Sequence, residues 1–166
     1  MITLGIDPGF GIIGYAALKK ERDGTLAILD YGAINTPKDQ PFVKRLKIIA
    51  DCINELITRF NPDEIALEQL FFGKNITTGI PVAHARGVIM LECEKREKPI
   101  FEYNPQDVKQ SLTGQFRADK AQMQQMVMRV LNLSKPPKPD DAADALAIAI
   151  CHMQTNQLIA IRRLSF

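Results

Sequence analysis

Residues 2–7 read Ile2-Thr3-Leu4-Gly5-Ile6-Asp7 and are followed at once by Pro8-Gly9 and Gly11. A run that is β-prone and apolar up to a terminal acid is how a strand buried on both faces is written. The Pro-Gly pair that follows marks a turn. Ile12 to Leu18 then reads as a second strand, and Thr25 to Ile34 as a third, with Gly32 expected as a weak point or bulge. Short loops join the three, so they form an antiparallel meander.

The period then changes. Phe42, Leu46, Ile49, Ile53, Leu56, Ile57 and Phe60 recur at three- and four-residue steps, predicting an amphipathic helix over 40–60. Glu64 to Glu68 is a short strand, and 77–98 a long helix with Pro81 expected in its first turn. That helix is apolar over more than one stripe, which suggests a second buried contact such as a dimer interface. Pro99 to Tyr103 gives a fifth strand. Asn104-Pro105 reads as N-cap and first position of a helix ending near Gly114. Two more helices follow over 118–132 and from Asp140 to about Gln154, with 156–166 expected as a frayed tail. The strand–helix–strand units make right-handed parallel crossovers. The fold class is therefore α/β: a mixed five-stranded sheet with helices on both faces in one domain spanning 1–166, the first strand central and the strand ending in Glu68 beside it.

Composition narrows the function. The 166 residues carry 21 Lys and Arg against 19 Asp and Glu, a net +2 that neither demands nor forbids a nucleic-acid partner. No apolar run approaches the roughly 18–20 residues of a membrane span. Cys52, Cys93 and Cys151 are odd in number and share no metal-ligand spacing, and His84 and His152 lie far apart. A disulfide framework and histidine-centred catalysis are both disfavoured, and a reducing cytoplasm is the expected home.

The acids carry the chemistry. Asp7 and Glu68 end adjacent parallel strands, at the sheet edge where open α/β folds bind ligands. Strands lie about 4.8 Å apart, so two carboxylates there repel unless a cation lies between them. The last helix opens Asp140-Asp141-Ala142-Ala143-Asp144. Asp140 or Asp141 is expected to cap it, and spacing alone lets either share a face with Asp144. Small residues around Asp144 would let the helix approach the sheet closely. Four carboxylates with no His or Cys suit Mg²⁺ or Mn²⁺. Two such ions about 3.5–4 Å apart can clamp both oxygens of a phosphodiester displacement. The residues therefore point to metal-dependent phosphoryl hydrolysis.

Gly5-Ile6-Asp7-Pro8-Gly9, Glu68-Gln69 and Asp141-Ala-Ala-Asp144-Ala-Leu-Ala-Ile-Ala, in this order and spacing, closely resemble the RuvC family of Holliday junction resolvases. The resemblance covers nearly the whole chain. It implies a ribonuclease-H-like fold and a homodimer that nicks opposed strands of a four-way DNA junction symmetrically, leaving 5′-phosphate and 3′-hydroxyl ends. It further implies Asp7, Glu68, Asp141 and Asp144 as the metal-binding catalytic quartet, setting Asp140 aside. Phe71 matches a base-stacking aromatic, though Phe72 is its neighbour and which one faces DNA stays open. Lys109 and Lys120 match phosphate contacts, and Arg86 matches a block that faces DNA or supports the dimer. RuvA and RuvB, the branch-migration proteins, are the implied partners. The competing readings are a sugar-kinase-like ATPase, a nuclease for another structured nucleic acid, and a junction-binding module that does not cut.

Overall fold

The computed structural model describes residues 1–70 and 76–155. Five strands, β1 (Ile2–Asp7), β2 (Ile12–Lys20), β3 (Leu26–Asn35), β4 (Glu64–Glu68) and β5 (Ile100–Tyr103), form one sheet in the order β3-β2-β1-β4-β5. β1 is antiparallel to β2 and parallel to β4, which is parallel to β5. The expected mixed sheet with β1 at its centre is present.

Alternation along β1 divides its residues between two cores. Leu4 and Ile6 face the helices α1 (Phe42–Phe60) and α2 (Ile76–Glu94), joining Ile13, Ile49, Ile53, Ile65, Leu67 and Ile89, all fully buried. Gly5 faces α5 (Asp140–Gln154), whose inner surface is Ala145, Leu146, Ala149 and their neighbours. α3 (Pro105–Thr113) and α4 (Lys120–Val130) pack against α5 on that second side. α1 stops where Asn61 adopts φ 41° and its N–H bonds back to the Ile57 carbonyl, a left-handed position that Asn tolerates.

Four local expectations are corrected. The β2–β3 register shifts between Ala17 and Leu18, so the bulge lies opposite that step. Gly32 stays in register across from Tyr15, where an added Cβ would meet the Tyr15 hydroxyl at 2.9 Å. α2 begins at Ile76, so Pro81 falls in its second turn, where packing against α1 outweighs the lost hydrogen bond. α2 also ends at Glu94 and closes in a turn, Lys98 N–H reaching the Cys93 carbonyl. Finally, the N-cap of α5 is Pro139, with no side-chain cap, so neither Asp140 nor Asp141 caps the helix. Both occupy its first turn, where the helix dipole favours negative charge.

Candidate active site and its relatives

The site is built where α5 crosses the carboxyl ends of β1 and β4. Asp7 and Glu68 both follow fully buried residues, Ile6 and Leu67, so each carboxylate stands half-buried at the top of a strand. α5 descends on them closely because the sheet beneath it presents glycine at its two nearest approaches, Gly5 and Gly14, and alanine at Ala16 and Ala66. A Cβ at Gly5 would lie 2.5 Å from the Ala145 carbonyl oxygen and 2.8 Å from the Ala149 Cβ. Asp144 thus lies one residue from a backbone contact with the strand that carries Asp7.

Electrostatics show which acids share the space. Burial first, and then Glu68, Asp144 and Asp141, push the Asp7 carboxyl up from 3.8 to about 8, with Glu68 also hydrogen-bonded to it. Burial and Asp144 likewise raise Glu68, although its bond to Asp7 and the cation Lys109 act against them. Asp144 is raised by burial, with Lys120 opposing. The four acids that the sequence singled out are brought to one place. Asp140 is different: its hydrogen bond from Lys120, with Lys138 also nearby, holds it below the usual carboxylate range.

Lys120 opens α4 behind an Asp119–Gln122 capping box, which fixes where the lysine emerges. Its Nζ lies 3.1 Å from Asp140 Oδ2 and 3.9 Å from Asp144 Oδ2. Asn104 caps α3 by accepting from Gln106 N–H, as expected, and α3 carries Lys109. Glu68, Asp144, Lys109 and Lys120 line a cleft of about 260 Å³ floored by Val108, Met123 and Ile148. Two cations and two acids thus meet at one cleft mouth, and lysines are residues that can contact backbone phosphate.

The donor set fits a hard divalent cation by its chemistry: four carboxylates, no nitrogen or sulfur. As the side chains stand, however, no group of three or more His, Cys, Asp or Glu among the described residues is close enough to hold a metal. Asp7 and Glu68 form the ready pair, and a complete ligand set needs the Asp141 and Asp144 side chains to turn toward it. Like charges have reason to converge in that way only around a cation.

Arg86, on α2, is ion-paired with Glu102 of β5, and burial lowers its pKa from the ordinary guanidinium value. Phe71 and Phe72 lie outside the described residues, as does the 156–166 tail. Two features escaped the sequence reading. Gly14, opposite Asp7 in the β1–β2 ladder, lies directly beneath Asp141; a glycine inside an apolar strand was the available signal. His152 is buried with Nε2 2.6 Å from Glu64 Oε2 and Nδ1 2.6 Å from the Tyr103 hydroxyl, tying the far end of α5 to β4 and β5. No sequence spacing announces that triad.

A family model, crossover junction endodeoxyribonuclease RuvC, matches residues 3–152. The chain belongs to the RuvC family. The RuvC of Clostridioides difficile (strain 630) is 51% identical over 158 residues, 95% of this chain and 93% of its own. That of Thermotoga petrophila is 50% identical over 152 residues, 92% of each chain. A solved Thermus thermophilus RuvC superposes with a TM-score of 0.86 at 31% identity, covering 93% of this chain and 94% of its own. The T. thermophilus RuvC in complex with Holliday junction substrate gives 0.84 at 29% identity. The yeast mitochondrial Holliday junction resolvase Ydc2, at 17% identity and 0.68, shares the fold. RuvC and these resolvases have the ribonuclease-H-like architecture that the family resemblance implied, in agreement with the mixed five-stranded sheet read from the element order.

Proposed function

We infer that this chain is a crossover junction endodeoxyribonuclease that resolves four-way Holliday junctions in homologous recombination and DNA repair. The observation that carries it is the gathering of Asp7, Glu68, Asp141 and Asp144 beside Lys109 and Lys120 in a chain of the RuvC family. Family members are metal-dependent nucleases. Here the four acids would hold Mg²⁺, two ions per site, with Mn²⁺ as a substitute. Bound there, the metal would lower the pKa of an attacking water and stabilise the leaving 3′ oxygen.

The chain's own residues do the rest. Asp7, raised and hydrogen-bonded to Glu68, holds a proton between the two carboxyls at neutral pH, and binding of a divalent cation by these acids would release it. Lys120 leaves its partners Asp140 and Asp144 to meet a backbone phosphate, and Lys109 supports the same strand from the other wall of the cleft. Phe71 stacks on an unpaired base, a contact worth about 1–3 kcal/mol. Arg86, ion-paired with Glu102 of β5, ties α2 to the sheet and would support the dimer or face DNA from that position.

Two opposed nicks need two sites related by a two-fold axis. Ile80, His84, Gly87 and Leu91 form an exposed stripe along α2 at four-, three- and four-residue steps, and a second copy of this chain would cover it. The whole of 1–166 acts as one nuclease domain in the cytoplasm, working with the RuvA and RuvB proteins. Among the described residues no helix is long and apolar enough to cross a membrane.

Cleavage of a synthetic four-way junction, with a linear duplex of the same sequence alongside, tests the reading. Paired symmetric nicks with 5′-phosphate ends, on the junction alone and only with a divalent metal, are expected. Binding without cutting under either Mg²⁺ or Mn²⁺ would make it a recognition module instead. Sedimentation should give a dimer, and a monomer making paired nicks would break the symmetry argument.

A further inference from the structure

We propose that Gly14 is a positioning residue of the metal site, which sets how near Asp141 comes to Asp7. The inference rests on the reading of the four acids as metal ligands. Gly14 sits between two of them. In the β1–β2 ladder its Cα is the direct partner of Asp7. Above it, a Cβ would lie 2.5 Å from the Asp141 carbonyl carbon, nearer still to the carbonyl oxygen, and 3.2 Å from the Ala142 nitrogen. Carbon atoms in contact need about 3.5 Å, so any side chain at 14 lifts the first turn of α5 by about 1 Å or more. The obstacle is backbone on both sides, and no rotamer change relieves it.

This placement has no need that the fold alone supplies. Gly14 has an ordinary strand conformation rather than a positive φ, and it pairs in register with Ala33 on its other side. The flanking Ile13 and Tyr15 serve the opposite core. Glycine in a strand interior costs stability relative to a residue with a side chain. What it gains here is the approach of a helix whose first turn bears Asp141. The far end of that helix is fixed independently by the buried His152–Glu64–Tyr103 bonds, so a lift at Gly14 tilts α5 and moves Asp141 and Asp144 farther than the residues below.

The test is calorimetric titration of Mn²⁺ into the intact DNA-free protein, comparing wild type, Gly14→Ala, Gly32→Ala and Asp7→Asn, with junction affinity measured in EDTA. Gly32→Ala controls for a methyl added to a neighbouring strand, since its clash is with the movable Tyr15 hydroxyl. The expected result is Mn²⁺ affinity at least tenfold weaker in Gly14→Ala, unchanged in Gly32→Ala, with junction affinity within twofold throughout. The Mg²⁺ concentration for half-maximal cutting should rise by the same factor, with much of the rate regained at saturation. A folded Gly14→Ala with wild-type Mn²⁺ affinity overturns the proposal. If that variant does not fold, Gly5→Ala combined with Ala149→Gly takes its place, retaining the backbone overlaps with the Ala145 carbonyl oxygen at 2.5 Å and the Ala149 nitrogen at 3.0 Å; unchanged affinity there overturns it equally. Wild-type protein that binds no Mn²⁺, or binds it equally well as Asp7→Asn, would instead overturn the reading of the acids.

Discussion

The two faces of the sheet are built from different residues. Toward α1 and α2 it presents Leu4, Ile6, Ile13, Ile65 and Leu67, large side chains that keep the helices at ordinary distance and exclude water. Toward α5 it presents Gly14, Gly5, Ala16 and Ala66 beneath the start of the helix and Leu18 farther along β2, with Asp7 and Glu68 at the top. Both faces bury apolar clusters that stabilise the fold, the first across its whole extent. The second gives up part of that area, and the helix it admits delivers Asp141 and Asp144 to two strand-end acids. Stability and chemistry are thus divided across a single layer of backbone.

Breaking the chemical face should give the largest effect. Glu68→Gln keeps shape and removes charge, and it is expected to slow junction cutting by about a thousandfold or more, the loss of several kcal/mol of metal-borne stabilisation. Junction affinity in EDTA should be unchanged or tighter, as read by gel shift. Breaking the other face should do the reverse. Ile6→Ala removes a fully buried side chain and is expected to cost about 2–5 kcal/mol of stability in denaturant unfolding. The folded fraction should still need the same Mg²⁺ concentration for half-maximal cutting; a large shift in that concentration would mean the faces are not separate.

The comparison can be sharpened by pH. Because the folded state raises the Asp7 pKa from 3.8 to about 8, it holds a proton that the unfolded chain releases. Asp7 therefore costs nothing below about pH 4, and its cost grows as pH rises toward 8. Asp7→Asn should then melt above wild type in EDTA, with a gap that widens from pH 5 to pH 8. About 3 °C per kcal/mol is the scale for a chain of this length. Added Mg²⁺ should narrow the gap at pH 8 by stabilising wild type alone. A gap that does not change with pH would contradict the electrostatic account of the site.

The smallest effect belongs to the exposed cations. Lys120→Ala is expected to weaken junction binding and reduce the salt slope by about one phosphate contact. An unchanged slope would remove Lys120 from the interface. Asp140→Asn, which frees the lysine, should act in the opposite sense.

The first face was the more legible of the two. Period-two and period-3.6 apolar patterns write α1 and the strands directly, and the acids at strand ends and one helix turn point to the candidate site without any contact being known. What sequence left out is set by through-space approach. Pro139 caps α5 because of how the chain enters the helix, although Asp140 and Asp141 are the better capping types. Pro81 lies inside α2 because tertiary packing overrides a local rule. Gly14 looks like any glycine until a helix is laid across it, and the His152 triad joins residues 88 and 49 positions apart. Asp141 over Asp140 was likewise undecided by spacing; the Lys120 pair and the field felt at Asp7 favour Asp141.

One variant tests the division of labour most directly. Asp7→Asn, assayed for both melting temperature and cutting of a four-way junction in Mg²⁺, should lose cutting while melting at or above wild type in EDTA. Cutting at the wild-type rate, or a variant that loses activity only because it has become less stable, would contradict the claim that this face is given to chemistry.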